Sequence, residues 1–309
     1  MGGLMMLLHF LGTGAGIPSR ERNVSSLAVQ ISAPKRDVWL FDCGEGTQQQ
    51  ILDSSFSLRK IGRIFITHLH GDHIFGLPGL LASRSFVSDA GEVTVYGPPG
   101  LRDYVETALR ISGTHLSYSL VVQEIEPGDE LEIETFKIKI SQLDHGLMSY
   151  GYRVEEPRKP GRLDIDKLQK LGIQPGPIYG RIKQGETIVL ENGQVLKGSD
   201  FVGPSRQGRC LVILGDTRFS EASIELARAA NVLVHEATFG AGLVEKAQAF
   251  YHSTTIQAAQ VAKEAGVDTL VLTHVSSRYR PESYLALLAE ARSVFPNSYL
   301  AEDHFTFQL

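Results

Sequence analysis

The sequence predicts an α/β fold built of layers. Apolar runs of strand length alternate with amphipathic stretches of helix length, and metal-capable polar residues follow several of the runs. The chain has 309 residues, 42% of them hydrophobic, which is enough to bury a substantial core. We therefore expect a single α/β domain that spans residues 1–309.

The first half of the chain contains several short apolar runs with β-branched residues, which are typical of buried strands. These runs predict strands at Leu7–Leu11, Ser26–Ile31, Asp37–Phe41, Ile61–Thr67 and Val93–Tyr96. The stretches between them predict helices near Gly46–Asp53, Leu77–Ser83 and Gly100–Ile111. Strand and helix therefore alternate from the beginning of the chain.

The second half continues this alternation without repeating the sequence. Strands are predicted at Phe136–Leu143, Leu211–Leu214, Val232–Val234 and Leu270–Thr273. Helices are predicted near Ser220–Ala230, Thr254–Ala265 and Pro281–Val294. Ser and Thr side chains accept hydrogen bonds from free N–H groups at helix starts, and Pro fits the first turn. The helix starts are accordingly marked by Ser220, Ser253, Thr254 and Pro281.

The string THLHGDH at residues 67–73 places four metal-capable side chains within six positions. Alternate residues of a strand face the same side, so His68 and His70 can converge on one metal. Asp72 and His73 can turn toward a second. Histidine nitrogen and carboxylate oxygen suit Zn²⁺ or Mn²⁺. The alternative, that these are ordinary core or surface histidines, leaves so dense a cluster unexplained.

Three further candidate ligands each follow a predicted strand. His145 follows Phe136–Leu143, Asp216 follows the run CLVIL at 210–214, and His274 follows TLVLT at 269–273. Strand ends in open α/β folds aim side chains into a shared crevice. One such residue alone is more often a cap or turn residue. Three of them, together with the histidine cluster, indicate a site for two metals.

The pattern HxHxDH after a strand resembles the signature of the metallo-β-lactamase superfamily. This resemblance implies an αββα sandwich with metals at the strand ends between two sheets. It assigns one metal to His68, His70 and His145, and the other to Asp72, His73 and His274. It also implies that Asp216 would bridge the two. The implied cofactor is Zn²⁺, two ions per subunit, with Mn²⁺ as an alternative.

Further motifs narrow the resemblance to the ribonuclease Z family in its short bacterial form. They are FLGTGAGIPSRERNVSS at 10–26, HEAT at 235–238, HST at 252–254, LTHVSSRY at 272–279 and PGP at 175–177. One departure is Arg20, where the loop pattern PxKxRN has Lys, so the charge is kept. The resemblance implies an endoribonuclease that removes the 3′ trailer from precursor tRNA. It leaves a 3′-hydroxyl on the tRNA and a 5′-phosphate on the trailer.

The chemistry expected of this site combines metals with an acid and a base. Two cations roughly 3.5–4 Å apart can lower the pKa of a bridging water and stabilise the charge on a phosphoryl oxygen. The resemblance makes Asp72 the general base as well as a ligand. We expect His252 to protonate the departing 3′-oxygen, because the carboxylate of Glu236 can orient its ring and favour its charged form. Without that context, His252 would be a capping or core histidine.

Residues 155–185 interrupt the alternation with a segment rich in Pro, Gly and basic residues. Arg153 to Lys197 has nine Lys or Arg against six Asp or Glu, although the whole chain has a net charge of −5. The segment is either a solvated surface hairpin or a flexible inserted arm that binds tRNA phosphates. The resemblance favours a protruding exosite arm. Its candidate RNA-binding residues are Arg158, Lys159, Gly176, Pro177, Arg181 and Lys183.

The glycines of LGTGAG follow a strand and could suggest a dinucleotide-binding loop. Pro18 and charged residues follow them instead of an apolar helix, and no acidic residue ends a second strand at the required distance. We therefore expect no organic cofactor, and a tight turn that brings the first loop to the metal crevice. The resemblance makes Arg20, Arg22 and Asn23 candidate contacts to the tRNA end.

The expected setting is cytoplasmic, with precursor tRNA and a second copy of the chain as partners. No apolar stretch approaches the roughly 20 residues that span a bilayer, and the first residues lack the features of a signal peptide. The two cysteines, Cys43 and Cys210, give no reason to expect a disulfide. The homodimer is implied by the resemblance alone.

Two other functions are compatible with the same ligands. The first is a related hydrolase of cyclic nucleotides, small phosphodiesters or thioesters, against which the HEAT and HST motifs and the insertion argue. The second is an RNA-binding protein that keeps the fold without catalysis. The intact set of seven ligands argues against it.

Overall fold

The computed structural model describes residues 6–31, 37–190 and 192–309. Within these ranges the strands are β1 (Met6–Gly12), β2 (Gly14–Ala15), β3 (Ser26–Ile31), β4 (Asp37–Phe41), β5 (Ile61–Phe65), β6 (Val93–Gly97), β7 (Leu120–Glu124), β8 (Glu130–Ile133), β9 (Phe136–Leu143), β10 (Ser149–Glu155), β11 (Thr187–Val189), β12 (Val195–Lys197), β13 (Cys210–Leu214), β14 (Val232–Glu236), β15 (Thr269–Thr273), β16 (Val275–Ser276), β17 (Ser298–Leu300) and β18 (Thr306–Gln308).

The α-helices in the same ranges are short to medium in length. They are α1 (Thr47–Leu52), α2 (Gly71–Ile74), α3 (Leu77–Arg84), α4 (Leu101–Ile111), α5 (Ile165–Lys170), α6 (Pro177–Lys183), α7 (Glu221–Ala227), α8 (Val244–Ala249), α9 (Thr255–Ala265) and α10 (Pro281–Val294). Among the described residues, no helix has the length and apolar character needed to cross a membrane.

Two seven-stranded sheets form the centre of the main unit. Their strand orders are β18-β1-β3-β4-β5-β6-β7 and β17-β15-β14-β13-β10-β9-β8. In the first sheet, β4 to β7 are parallel. In the second, β13, β14, β15 and β17 are parallel. Parallel strands end at one edge, so the loops after β5, β13 and β15 lie where α/β folds bind ligands.

Aromatic side chains join the two sheets. Phe41 of β4 and Phe65 of β5 stack with ring centroids 4.9 Å apart, and Tyr152 of β10 meets Phe65 edge-on at 5.4 Å. The Tyr152 hydroxyl also donates to the carbonyl of Ile66 at 2.6 Å. A buried tyrosine hydroxyl needs such a partner, so this bond fixes the second sheet against the first.

Helices cover the outer face of each sheet. One apolar cluster joins strands of the first sheet to α1, α3 and α4 through Ile51, Leu80 and Leu101. A second cluster joins the other sheet to α7 and α9 through Ile224 and Ala262. The resulting order is helix, sheet, sheet, helix. The layered α/β prediction is therefore confirmed.

Most predicted elements lie within a few residues of their expected bounds. β3, β4 and α10 coincide with the predicted ranges. β5 ends at Phe65, two residues before the predicted end at Thr67. The backbone N–H of Thr67 donates to the side chain of Asp42 at 2.7 Å, so this residue leaves the sheet ladder.

The helix starts follow the predicted capping chemistry with one difference. Ser220 accepts a hydrogen bond from the backbone of Ser223, and Pro281 occupies the first turn of α10. Thr254 caps α9 in a capping box with Gln257. Ser253 is not the cap, because its hydroxyl donates to the carbonyl of Thr217 at 2.7 Å.

A second compact unit comprises Glu155–Arg209 together with Glu132–Lys137. It contains α5, α6 and the hairpin β11–β12. Its apolar core consists of Leu168, Ile173, Ile182, Ile188, Leu196 and Phe201. The basic segment predicted at 155–185 is the first part of this unit. The unit continues to Arg209 because half of its core lies beyond residue 185.

Candidate metal centre and active site

The histidine cluster lies in the loop after β5 and in the first turn of α2. His68 and His70 precede α2, whereas Asp72 and His73 belong to it. Because β5 ends at Phe65, strand alternation does not bring the first two histidines together. The loop does so instead, with His68 Nε2 and His70 Nδ1 at 3.0 Å.

The three downstream candidates converge on this cluster from β9, β13 and β15. His145 Nε2 is 3.1 Å from His70 Nδ1, and Asp216 Oδ2 is 3.7 Å from His68 Nε2. His274 directly follows β15 with a φ of 57°, a left-handed conformation uncommon outside glycine. The first group of ligand atoms thus comes from His68, His70, His145 and Asp216.

The second group comprises Asp72, His73 and His274, again beside Asp216. His274 Nε2 is 3.3 Å from His73 Nε2 and from Asp72 Oδ2, and 3.4 Å from Asp216 Oδ2. His73 Nε2 is 3.6 Å from Asp72 Oδ2 and 3.5 Å from Asp216 Oδ2. Ligands about 2.0–2.1 Å from a tetrahedral Zn²⁺ are about 3.3–3.4 Å from one another. The donor atoms present therefore fit a cation in this group.

Asp42 fixes the tautomers of two of these histidines. Its Oδ2 accepts hydrogen bonds from His73 Nδ1 at 2.7 Å and from the Thr67 hydroxyl at 2.9 Å. Because that hydroxyl donates to Asp42, it can only accept from His68 Nδ1, 3.0 Å away. Both rings therefore carry their proton on Nδ1 and present a lone pair on Nε2. Such outer hydrogen bonds orient metal-binding histidines.

Glu236 and Tyr251 do the same for two more of the five ligand histidines, His274 and His145. The Thr238 hydroxyl donates to Glu236 at 2.7 Å and therefore accepts from His274 Nδ1 at 2.9 Å. The carbonyl of Tyr251 accepts from His145 Nδ1 at 2.9 Å. His145 and His274 thus also present Nε2 as a lone-pair donor. Hydrogen bonds from residues that are not themselves ligands thus orient four ligand imidazoles toward a metal.

Arg218 supports the Tyr251 contact from outside. Its guanidinium bonds both oxygens of Asp144, at 3.1 and 2.9 Å, and lies 4.3 Å above the Tyr251 ring. Tyr251 has a φ of 59°, and this backbone conformation directs its carbonyl to His145. Arg218 therefore contacts both Asp144, the residue before His145, and Tyr251, whose carbonyl orients the His145 ring.

Burial and charge set the protonation of the ligands. Burial lowers the pKa of His68 well below its ordinary value, which favours the neutral, metal-binding form. Burial raises the pKa of Asp216, but His274 and His73 outweigh it, so the net pKa lies well below the ordinary value. Burial lowers the pKa of His73, but Asp216 and Asp42 outweigh it and raise the net pKa. The raised pKa favours a second proton on the His73 ring, on Nε2, and a bound cation would displace it.

Glu236, which is buried, and His252, which is partly buried, form a hydrogen-bonded pair beside the ligands. Glu236 is 1% exposed and accepts from His252 Nδ1 at 2.9 Å, from the backbone N–H groups of Thr217 and Thr238, and from the Thr238 hydroxyl. Burial lowers the pKa of His252, but the Glu236 carboxylate outweighs this effect and raises it to about 9. His252 is therefore charged at neutral pH, 3.9 Å from Asp216.

Sequence reasoning missed Asp42, Thr67 and Thr238, which orient the ligands. Asp42 directly follows β4, so the rule that found Asp216 could have found it. Thr67 precedes the histidine cluster, and Thr238 ends the HEAT motif. Adjacency to a motif was the only signal for the two threonines. Their partners depend on the tertiary fold.

The first loop reaches the metal centre, as its glycines predict. The backbone N–H of Gly16 donates to Asp72 Oδ2 at 2.7 Å. A Cβ on Gly12 would lie 1.7 Å from the carbonyl oxygen of Val24, so only glycine fits there. Gly12 ends β1, Gly14 lies in β2 and Gly16 lies in the loop after it, so these glycines do not open a helix.

The three candidate RNA contacts of this loop differ in accessibility. Arg20 is exposed. Arg22 is 3% exposed and donates to Thr13 and to the carbonyl of Ala301, so it does not reach a surface where a phosphate could bind. Asn23 is partly buried, and its amide donates to the carbonyl of Glu45 at 2.8 Å. The charge of Arg22 gave no indication that this side chain is buried.

The candidates in the second unit are mostly at its surface. Arg158, Gly176, Pro177, Arg181 and Lys183 are exposed. Gly176 and Pro177 stand at the beginning of α6. Arg181 pairs with Glu186 at 2.8 Å, and Lys159 pairs with Glu156 at 2.8 Å. These two cations are therefore partly neutralised within the unit.

The remaining histidines lie outside the ligand groups. His9 and His304 pair with each other at 3.2 Å, and His115 is exposed. His235 is fully buried, its Nδ1 donates to the carbonyl of Glu236, and burial lowers its pKa. None of these four histidines belongs to the candidate site.

Known proteins are similar to this chain both in sequence and in fold. A family model described as Anti-Pycsar protein Apyc1 matches residues 6–157. A curated protein named Ribonuclease Z from Geobacillus kaustophilus is 56% identical over 304 residues, covering 98% of this chain and 99% of the relative. The protein of the same name from Listeria monocytogenes is 52% identical and also covers 98% and 99%.

Solved structures give the same result for the fold. Human tRNase Z, short form, has a TM-score of 0.71 and 31% identity, and covers 97% of this chain and 98% of its own. The metallo-β-lactamase fold protein YhfI from Bacillus subtilis has a TM-score of 0.68 at 18% identity, covering 99% and 100%. The predicted metallo-β-lactamase fold is confirmed.

Proposed function

This chain belongs to the ribonuclease Z family, and we propose that its histidine and aspartate cluster is the centre that performs the family's reaction. The chain is a metal-dependent endoribonuclease that removes the 3′ trailer from precursor tRNA, leaving a 3′-hydroxyl on the tRNA. One observation carries the assignment to the cluster. Seven candidate ligand residues from four separate segments converge there, beside a buried glutamate that is hydrogen-bonded to a histidine.

We assign the ligands to two cations. His68, His70 and His145 would hold the first, and Asp72, His73 and His274 would hold the second, with Asp216 as a ligand shared by both. Zn²⁺ suits this set of imidazole and carboxylate donors, and Mn²⁺ can replace it. When bound, the cations supply an activated water and offset charge on the phosphoryl group.

Asp72 and His252 supply the proton transfers. The Asp72 carboxylate, held by the N–H of Gly16, accepts the proton of the attacking water. His252 directs Nδ1 to Glu236, so the proton on Nε2 is the one available to the departing 3′-oxygen. Because the pKa of His252 is raised to about 9, this donor is charged at neutral pH.

A cleavage assay tests the proposal. Purified protein should release the trailer from a precursor tRNA when Zn²⁺ or Mn²⁺ is present, and product-end mapping should find a 3′-hydroxyl on the tRNA. His68→Ala and His274→Ala should each abolish release, whereas the exposed His115→Ala should not. Intact trailers after incubation of the metal-loaded wild type would contradict the assignment.

We further propose that the second unit is the arm that binds tRNA. Its candidate contacts are Arg158, Lys159, Gly176, Pro177, Arg181 and Lys183, with Arg20 and Asn23 in the first loop. Removal of residues 158–183 alone would leave Ile188, Leu196 and Phe201 without their core partners. The backbones of Lys159 and Arg206 form a reciprocal pair of 2.9 Å hydrogen bonds. An Asn-Gly turn can therefore replace 160–205 cleanly.

This deletion separates recognition from chemistry. We expect precursor-tRNA cleavage to fall by about 100-fold or more through lost phosphate contacts, and bis(p-nitrophenyl) phosphate hydrolysis to persist. Equal loss of both activities would contradict the arm as a recognition element. The matched control keeps the unit and replaces Arg181 and Lys183 by Gln. It should show a smaller loss with weaker salt dependence.

We also propose that the protein acts in the cytoplasm as a homodimer, with the arm of one subunit reaching tRNA held by the other. Mixing the deletion variant with His68→Ala subunits tests this. Mixed dimers should regain tRNA cleavage, because an intact arm and an intact metal centre are then in different subunits. Absence of any regained activity would contradict the arrangement, as would a monomer in sedimentation.

A further inference from the structure

A cleft of about 420 Å³ adjoins the candidate metal centre. Candidate ligand residues line it, among them Asp72 and His274. Two phenylalanines and two cations, to which the family resemblance assigned no role, also line it: Phe239, Lys246, Phe250 and Arg278. We call these four residues the aromatic and basic wall.

Each cation of this wall lies near an aromatic ring. Lys246 Nζ is 5.7 Å from the centroid of Phe250, and the Arg278 guanidinium is 5.1 Å from that of Phe239. Phe250 is 59% exposed, although its ring is apolar. Within the described ranges, no carboxylate forms an ion pair with Lys246 or Arg278, so both charges remain available to an anion.

Local structure holds this wall beside the proton donor. Lys246 and Phe250 are four residues apart across α8 and its C-cap, so they share one face. The carbonyl of Ala247 in the same helix accepts the backbone N–H of His252 at 2.9 Å. The His252 ring is 6.1 Å from the ring of Phe239. The aromatic and basic wall is thus on the His252 side of the cleft.

An exposed aromatic ring with unpaired cations beside it is the combination that binds single-stranded nucleic acid. Bases stack on aromatic faces whatever their identity, and Lys or Arg contact the phosphates. A purely apolar ligand would leave the two cations unused. A purely anionic ligand would leave the Phe250 ring unused.

We infer that Phe250, with Lys246 and Arg278, forms the subsite for the nucleotide immediately 5′ of the cut bond, the last nucleotide of the mature tRNA. The inference rests on the proposed function, because it takes His252 as the donor to the departing 3′-oxygen. That oxygen belongs to the nucleotide 5′ of the cut, which must therefore lie on the His252 side. Its base stacks on Phe250. Lys246 and Arg278 hold the phosphates that flank it.

A cycle of protein and substrate changes tests this subsite. Wild type and Phe250→Ala are each assayed on a precursor tRNA with an intact or an abasic nucleotide 5′ of the cut. We expect removal of the base to lower wild-type kcat/KM roughly 5- to 100-fold, the range for one stacked base. Phe250→Ala should lose a similar factor on the intact substrate and lose little more on the abasic one.

Three controls separate stacking from folding. Phe250→Trp should restore cleavage of the intact substrate, because it restores an aromatic face. Phe86→Ala, at a ring that is 93% exposed and outside the cleft, should leave every rate unchanged. Hydrolysis of bis(p-nitrophenyl) phosphate and the melting temperature should be nearly the same in all variants.

The outcomes distinguish this inference from the proposed function. If wild type leaves precursor tRNA uncut, the proposed function itself fails. If wild type cuts it but the abasic penalty is the same with and without Phe250, only the subsite is wrong. The assignment to the nucleotide 5′ of the cut would be overturned by a different result. In that result, the Phe250-dependent penalty appears when the first nucleotide of the trailer is abasic, and no such penalty appears for the nucleotide 5′ of the cut.

Discussion

At the residue scale, the metal ligands depend on neighbours that make no metal contact. Asp42 and Glu236 each act on more than one partner and so determine which nitrogen of a histidine is free. The THLHGDH string located four of the seven proposed ligands from sequence, and the strand-end rule located the other three. It could not locate Thr67 or Thr238, because their role comes from hydrogen bonds to residues distant along the chain. Arg22 shows the same limit, since charge alone does not reveal burial.

Asp42→Asn should weaken the second metal site. An amide in place of the carboxylate must aim its NH2 either at His73 Nδ1 or at the backbone N–H of Thr67, so one of these donors loses its acceptor. We expect a 10- to 100-fold lower metal affinity, the usual effect of such changes. Competition with a chelator measures this. The exposed Asp53→Asn is the control, and unchanged metal retention in Asp42→Asn would refute the orienting role.

His252→Ala should affect substrates according to their leaving group. A 3′-oxygen needs a proton on departure, so precursor-tRNA cleavage should slow by about 10²- to 10⁴-fold. The leaving group of bis(p-nitrophenyl) phosphate is stable as an anion, so its hydrolysis should change far less. Both kcat values are compared with those of wild type. Equal slowing of the two reactions would mean that His252 is not the acid.

At the element scale, strand interiors were predictable and short elements were not. β3, β4 and α10 match because their apolar patterns run the full length. α2 and α8 have four and six residues, which is too short for helical periodicity to appear. β10, with the sequence SYGYRVE, has a glycine within its run of aromatic residues. The end of β5 was not predictable, because it is set by a hydrogen bond to Asp42 in the loop after β4.

The second unit should lose stability in acid through Glu156. Its carboxylate bonds Arg209 and Lys159 while its own side chain is buried. Burial raises the pKa of Glu156, but these two cations outweigh it, so the net pKa is lowered. A lowered pKa stabilises the fold above the unfolded-state pKa, and this contribution disappears as pH falls through the folded-state pKa.

Glu156→Gln tests that contribution. At pH 7 we expect a loss of about 1–3 kcal/mol in unfolding free energy, measured by urea denaturation. The difference from wild type should shrink at pH 4 and below, where the wild-type carboxylate begins to be protonated. Glu186→Gln removes an exposed pair with Arg181 and should cost less than about 1 kcal/mol at either pH. A constant Glu156→Gln effect across this range would contradict the linkage.

At the scale of the whole molecule, composition predicted the existence of the inserted segment but not its extent. The predicted end at residue 185 is where the basic and Pro-rich composition stops. The folded unit extends to Arg209, because its core needs Ile188, Leu196 and Phe201. The α/β layering was predictable, since it follows from alternation along the entire chain. Net charge gave no guide to the proposed tRNA contacts, because phosphate binding depends on local Lys and Arg.

The central claim is that seven side chains from separate loops bind two cations. Crystals of the zinc-loaded protein, with diffraction recorded on both sides of the zinc absorption edge, test it most directly. We predict two anomalous peaks per chain, each about 2.0–2.2 Å from its ligand atoms. One should lie among His68, His70 and His145, and the other among Asp72, His73 and His274. A single peak, or peaks away from these residues, would contradict the claim.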